Sequence, residues 1–347
     1  MATLTPKENL LRVLNGQIPE WVPSYSYYGP LPGVDELPPN MMLMSSGMMG
    51  TGNPFDGKGF NDFWGVPYTS VPEVGGFALP SPNEFILKDI TKWRDVVKVP
   101  EAKLKLDWKA AAEEDLKHLP YDRDKVSLWW GPSGFGYFMQ FMAMMGFSEG
   151  LAAMIEEPDA VKEMLAYMHG FYLDVAKQVI DIIKPDVLSL ADDAATERNP
   201  FISPEMYREF LLPLYHDFTW LAIERGIPID MHLCGRGEDF IPDLVRIGIG
   251  CWEPVQLSND ISGLQKRYGR SLVIGGGWES RGRLMELDVT DEEIRQSVRD
   301  AIDKYAGNGG FMFAAAWTPA SPDDKLTQHW NEVMQREVYD YGHKFYK

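Results

Sequence analysis

From residue 126 to the C-terminus the chain alternates short apolar runs with longer amphipathic ones, and this rhythm restricts the fold more than any other feature. Segments 126–130, 185–190, 227–233, 251–255, 271–274 and 311–315 read as strands, short and bounded by turn residues. Helical stretches lie between them: 151–155 and 160–183, 203–225 with a kink expected at Pro213, 240–247, a short piece around Leu264, and one opened by Thr290-Asp291-Glu292-Glu293. A helical stretch also closes the chain. Strands that alternate with helices pair in parallel, because each crossover helix carries the chain back to the end from which the previous strand started.

The N-terminal part is built differently. Thr5 caps, Pro6 suits a first helical position, and Glu8 completes a capping box ahead of Leu10, Leu11 and Leu14. Residues 29–60 are rich in Gly, Pro and Met without a period, as in a lid or binding loop, with Met41, Met42, Met44, Met48 and Met49 as flexible apolar packing. Residues 60–80 alternate through Phe63, Val66, Tyr68 and Val71 and end in Gly75-Gly76, which reads as a hairpin. About seven or eight βα units with no interdomain linker favour a closed barrel over an open doubly wound sheet. The predicted fold is α/β, a single (β/α)8 TIM barrel with an N-terminal helix and a long lid-like loop. It forms one domain over 1–347, with helix, loop and hairpin in 1–80 and βα units in 81–347.

With 33 Lys and Arg against 51 Asp and Glu, the net charge of −18 argues against nucleic acid and anionic membranes as partners. Two Cys in 347 residues make no disulfide framework, so a reducing, cytoplasmic location is expected. No run of 18 apolar residues occurs, and the opening residues lack the pattern of a signal peptide.

In a barrel, chemistry collects at the C-terminal ends of the strands. Those positions hold Tyr25, Tyr27 and Tyr28, Trp129 and Trp130, Asp192 and Asp193, His232 and Cys234, Glu253 and Gln256, Trp278 and Glu279, and Trp317. The expectation is an aromatic-walled pocket with a few acidic groups, positive only at Arg236 and Arg281, matched to a small neutral substrate. His232 and Cys234 are two residues apart on a strand and project to one face, a nitrogen and a sulfur that suit zinc. Glu253 on the next strand is the favoured third ligand, with Asp192, Asp193 and Glu279 as alternatives. The competing reading is a buried histidine beside a small apolar cysteine. Asp192, Asp193 and Glu279 are the candidate catalytic carboxylates, a buried one being suited to acid–base work, although the Asp192-Asp193 pair could instead cap the next segment. Gly275-Gly276-Gly277 lacks the Lys or Ser/Thr of a phosphate loop and reads as a turn that allows close backbone approach.

These residues resemble the uroporphyrinogen decarboxylase superfamily over nearly the whole chain. The resemblance is carried by Lys7-Glu8-Asn9-Leu10 leading to Val22-Pro23, Gly131-Pro132, the Asp192-Asp193 strand end, and Ser203-Pro204-Glu205-Met206-Tyr207-Arg208-Glu209-Phe210. It continues in His232-Leu233-Cys234-Gly235, Gly248 through Pro254-Val255-Gln256, and Gly276-Gly277-Trp278-Glu279. It implies a single β/α barrel. True decarboxylases of the superfamily carry an Arg-rich N-terminal segment; here the stretch is Pro23-Ser24-Tyr25-Ser26-Tyr27-Tyr28-Gly29-Pro30, without Arg. The chain therefore looks more like the zinc-dependent methyltransferases that serve corrinoid proteins. Their thiol-methylating members use His-x-Cys and a distant Cys near the last strand, where this chain has Trp317. Their O-demethylating members often place a His before the Gly-Gly turn, where this chain has Gly275.

The resemblance implies methyl transfer. A small neutral methyl donor, expected to be a methoxylated aromatic, would be demethylated, and the Co(I) corrinoid of a separate partner protein would receive the methyl group. Zinc or a carboxylic acid such as Asp193 would assist C–O cleavage, and Tyr25, Tyr27, Tyr28, Trp129, Trp130, Trp278 and Trp317 would bind the substrate. The alternative is a decarboxylase or lyase of the same superfamily acting on a small substrate without metal. A homodimer is compatible with either.

Overall fold

The computed structural model describes residues 4–25, 41–44, 57–133, 136–317 and 324–347. Its strands are β1 (Ser24–Tyr25), β2 (Met41–Met44), β3 (Phe60–Asn61), β4 (Pro67–Ser70), β5 (Ala78–Pro80), β6 (Ser127–Trp130), β7 (Val187–Ala191), β8 (Ile229–His232), β9 (Cys251–Val255), β10 (Val273–Gly277) and β11 (Phe311–Ala314). Eight form one sheet in the order β1-β11-β10-β9-β8-β7-β6-β2, and every described pairing in it is parallel. The other three, β3-β4-β5, make a separate antiparallel sheet.

The large sheet is rolled. Tyr25 on β1 and Trp129 on β6 are six strand positions apart, about 29 Å in a flat sheet at about 4.8 Å per strand. Their rings nonetheless meet edge to face with centroids 5.4 Å apart. Tyr25, Trp129, Val187, Cys251, Val273, Met312 and Ala314 thus pack together inside the roll. Alternate strand residues (Leu128, Trp130, Leu188, Met231, Trp252, Ile274, Phe313) face outward into a second core shared with the helices. The helix Pro6–Leu14 stoppers the N-terminal end of the roll, because its Leu10 and Val13 join the inner cluster. Its capping box forms, with the Glu8 amide donating to Thr5 Oγ1 (3.1 Å) and the Thr5 amide to Glu8 Oε2 (2.7 Å).

Three local readings are sharpened. The expected kink at Pro213 is a break: one helix ends at Phe210 and the next begins at Leu212. Proline supplies no amide to the carbonyl four residues back and its ring collides with that turn. The helix Tyr137–Met145 carried no signal in the sequence, since almost every residue in it is buried and it has no polar face to set a period. Gly275, Gly276 and Gly277 lie within β10 rather than after it. A Cβ on Gly276 would stand 2.4 Å from the Val255 carbonyl oxygen, so the close backbone approach is real and the register against β9 shifts there. Among the described residues no single helix is long and apolar enough to cross a membrane.

The helix Asp291–Tyr305 begins with the second capping box, and Arg283 adds an ion pair to it, Nε lying 2.8 Å from Glu293 Oε1. Arg283 first, then Thr290, hold the Glu293 carboxyl down at about 2 from an ordinary 4.5. A depressed carboxyl stabilises the fold above its unfolded value and loses that effect as pH falls through the folded one. Glu293→Gln should therefore lower the urea midpoint at neutral pH. The gap to wild type should narrow as pH drops from about 4.5 towards about 2, whereas a gap independent of pH would contradict this origin.

Candidate metal centre

Two adjacent aspartates follow β7, and the fold gives them opposite tasks. Asp192 is buried, with 1% of its surface exposed, against the start of the helix Tyr137–Met145. Its carboxylate accepts the amides of Tyr137 (3.0 Å), Phe138 (2.8 Å) and Met139 (3.0 Å) and the hydroxyl of Tyr215 (2.5 Å). An acid at a helix N-terminus satisfies donors that have no partner within the helix. Burial pushes its pKa up to about 7, and the same hydrogen bonds oppose the rise. Gly136 makes the approach possible: it has φ +89°, and a Cβ there would lie 2.1 Å from the Ala191 carbonyl oxygen and 2.6 Å from Asp192 Cγ. Asp192, a candidate catalytic carboxylate, thus caps the earlier helix Tyr137–Met145 and not the next segment, which was the capping use expected from sequence.

Asp193 turns the other way and is 38% exposed at the mouth of the roll. Its Oδ1 accepts the amide of Cys234 (2.8 Å), which ties the end of β7 to the segment after β8. Period-two alternation in β8 sends Met231 and Leu233 to the outer core and Asp230 and His232 inward. His232 Nε2 is 3.5 Å from Cys234 Sγ and 3.9 Å from Asp193 Oδ1. The three donor atoms of Asp193, His232 and Cys234 lie within 4.8 Å of one another. The projection of imidazole and thiol to one face, expected from their spacing, is what the structure shows.

Glu253 occupies a different place from the one expected. It is fully buried on β9 directly beside His232, and its Oε1 lies 2.9 Å from Nδ1, the ring nitrogen that faces away from the thiol. The donor triad is completed by Asp193, one of the alternatives, and Glu253 stands behind the imidazole. Burial alone would lower the His232 pKa, but the Glu253 charge and the hydrogen bonds to Cys234 and Glu253 hold it well above its ordinary value. Burial pushes the Cys234 thiol up, against a smaller lowering by His232. Beneath this layer Asp230 takes a hydrogen bond from Ser189 Oγ (3.1 Å), and burial, then the Glu253 charge, raises its carboxyl well above the usual range. Cys251 lies in that deeper layer, in register with Asp230.

The five described aromatic residues expected to wall the pocket lie in the two cores. Trp130, Trp278 and Trp317 belong to the outer core: Trp278 donates to Ser297 Oγ (2.8 Å) and meets Trp317 edge to face at 4.6 Å. Trp129 and Tyr25 fill the inside of the roll, buried at 0% and 3% exposure. Among the described residues these five side chains are packed against protein. Tyr27 and Tyr28 lie outside the described residues. Glu279, a candidate catalytic carboxylate, sits at the rim, where it accepts the Leu257 amide (2.6 Å) and pairs with Arg281 (3.0 Å). Gln256 links this rim to the segment after β8 that carries Cys234 by accepting the Gly235 amide. Arg281 also pairs with Glu197 (2.9 Å), and Arg236 pairs with Glu238 (3.0 Å).

The donor set fits zinc. In a tetrahedral site with Zn–N of about 2.05 Å and Zn–S of about 2.3 Å, the ligand atoms stand about 3.6 Å apart, and nitrogen and oxygen about 3.4 Å. The His232–Cys234 separation of 3.5 Å already matches, and Asp193 is longer by roughly half an ångström. Bound cations favour thiolate over thiol, which would reverse the upward push on Cys234. The two aspartates should separate by mutation. Asp192→Asn places an amide against backbone donors and should cost about 1–3 kcal/mol in urea unfolding. Asp193→Asn keeps the acceptor for Cys234, should change stability by under about 0.5 kcal/mol, and should weaken zinc binding in chelator competition. Equal stability losses would contradict this division.

Comparison with known proteins bears on this architecture. Residues 135–334 match the family described as Uroporphyrinogen decarboxylase (URO-D). Over 120 residues the chain is 31% identical to the methylated-thiol--coenzyme M methyltransferase of Methanosarcina mazei, a stretch covering 33% of this chain and 29% of that protein. The chain thus spans less than a third of the length of that curated relative. A solved methyltransferase from Methanosarcina mazei shares the fold, with a TM-score of 0.60 at 15% identity over 97% of this chain and 99% of that one. Because the family match extends over more than half of its length, the chain belongs to the uroporphyrinogen decarboxylase (URO-D) family.

Proposed function

We propose that the protein is a zinc-assisted methyltransferase that takes a methyl group from a small neutral donor and passes it to the Co(I) corrinoid of a separate partner protein. The observation that carries this reading is the convergence of Asp193, His232 and Cys234 at the mouth of the rolled sheet. We read that sheet as a closed (β/α)8 barrel forming one domain over 1–347, in a cytoplasmic protein.

In this reading His232, Cys234 and Asp193 hold the metal, and zinc, when bound, supplies a Lewis acid that polarises the atom losing its methyl group. The tie from the Cys234 amide to Asp193 keeps two of the three donors in register with each other. The Gln256 and Glu279 contacts hold the loops after β8, β9 and β10 around the site. The rim supports a neutral donor, because Arg236 and Arg281 are both engaged by carboxylates. With both rim arginines paired, a substrate carboxylate would have to displace Glu238, or Glu197 and Glu279, to reach them, which disfavours the decarboxylase alternative.

A methoxylated aromatic remains the donor class proposed from sequence; Tyr27 and Tyr28, expected to help bind it, lie outside the described residues. A methylated thiol is a second reading, favoured by the name of the relative from Methanosarcina mazei.

The purified protein should contain stoichiometric zinc that is lost in His232→Ala and in Cys234→Ala. Methyl transfer to free cob(I)alamin, followed by its absorbance change with methoxyarenes and with methyl thioethers in parallel, should fall by at least about 100-fold in both variants. Metal-free protein that keeps full activity would sink the reading.

A further inference from the structure

We infer that Glu253 is a positioning residue for the metal: by holding the Nδ1 side of His232 it aims Nε2 at Cys234 and Asp193 and so sets how tightly zinc is bound. The inference rests on the metal reading above and adds a residue outside the donor triad.

Three observations carry it. Glu253 is completely buried, and its Oε1 stands 2.9 Å from Nδ1, on the side of the ring away from the thiol and Asp193. The backbone fixes this position, since His232 and Glu253 are register partners and the Leu233 amide donates to the Glu253 carbonyl at 2.9 Å. The neighbouring strand leaves room for it. A Cβ on Gly275 would lie 2.8 Å from Glu253 Cβ and 2.8 Å from Met312 Cε, so a side chain at Gly275 would push against the Glu253 stem. The missing side chain at position 275 thus has a physical reason.

A carboxylate behind a ligating imidazole fixes which nitrogen carries the proton and makes the other a better donor to the metal. Removing such a partner weakens metal binding by about 10–100-fold. Glu253→Gln keeps the volume and one acceptor oxygen, so it separates orientation from charge, while Glu253→Ala removes both.

The test compares wild type, Glu253→Gln and Glu253→Ala, each stripped of metal and shown by circular dichroism to be folded. Zinc affinity is read by competition with a chromogenic chelator, and coordination by the visible spectrum of the Co(II)-loaded protein. Wild type should bind zinc stoichiometrically. Glu253→Gln should bind it about 10-fold more weakly, with the thiolate-to-cobalt band and the tetrahedral d–d bands unchanged in position. Glu253→Ala should be weaker still. Unchanged zinc affinity in both variants would overturn the positioning role and leave the metal reading standing. So would a Co(II) spectrum in Glu253→Gln that has lost its tetrahedral intensity, because Glu253 would then be a ligand itself. Wild type that binds no zinc would overturn the metal reading, and this inference with it. If Glu253→Ala does not fold, Glu253→Gln alone decides.

Discussion

The carboxylate of Asp192 is the interaction on which the site depends. It takes three amides from the start of the helix Tyr137–Met145 and a hydroxyl from Tyr215, and so ties the end of β7 to two helices. Successive residues of extended chain point to opposite sides. Anchoring Asp192 among the helices therefore directs Asp193 to the mouth, within reach of His232 and Cys234. One aspartate anchors the strand end, and the next is thereby placed beside His232 and Cys234, where the proposed metal would need it.

The second constraint is the alternation in β8 and β9. Inward positions on these adjacent strands stack Asp230 with Cys251 in one layer and His232 with Glu253 in the next, nearer the mouth. A polar stack in a buried interior is costly unless its members pair. Here Ser189 bonds Asp230, Glu253 bonds His232, and the imidazole faces outward to the thiol and Asp193. The arrangement leaves its polarity pointing towards the mouth, where a cation would complete it.

Much of this was legible from local pattern. The βα rhythm identified the parallel sheet, and the i, i+2 spacing of His232 and Cys234 placed their donors together, because strand periodicity is a property of the chain itself. The third candidate donor was not legible in the same way. Asp193 and Glu253 both end up beside His232, and only the register of β7, β8 and β9 decides which faces Nε2 and which Nδ1. The packing of the tryptophans was not legible for a related reason. Trp129 and Trp130 are neighbours at a strand end, yet one fills the inside of the roll and the other the outer core. Proximity to a strand end says nothing about which core the side chain already occupies. Tyr215 was invisible because its tie to Asp192 joins distant segments with no motif between them.

The proposed centre holds a metal by one sulfur and two lighter donors from the protein. The chain has two cysteines, and Cys251 lies a layer below the site. X-ray absorption at the zinc edge on the purified protein tests this most directly. It should show a single sulfur at about 2.3 Å with nitrogen or oxygen neighbours at about 2.0–2.2 Å. Two sulfur neighbours, or none, would contradict the assignment of Asp193, His232 and Cys234.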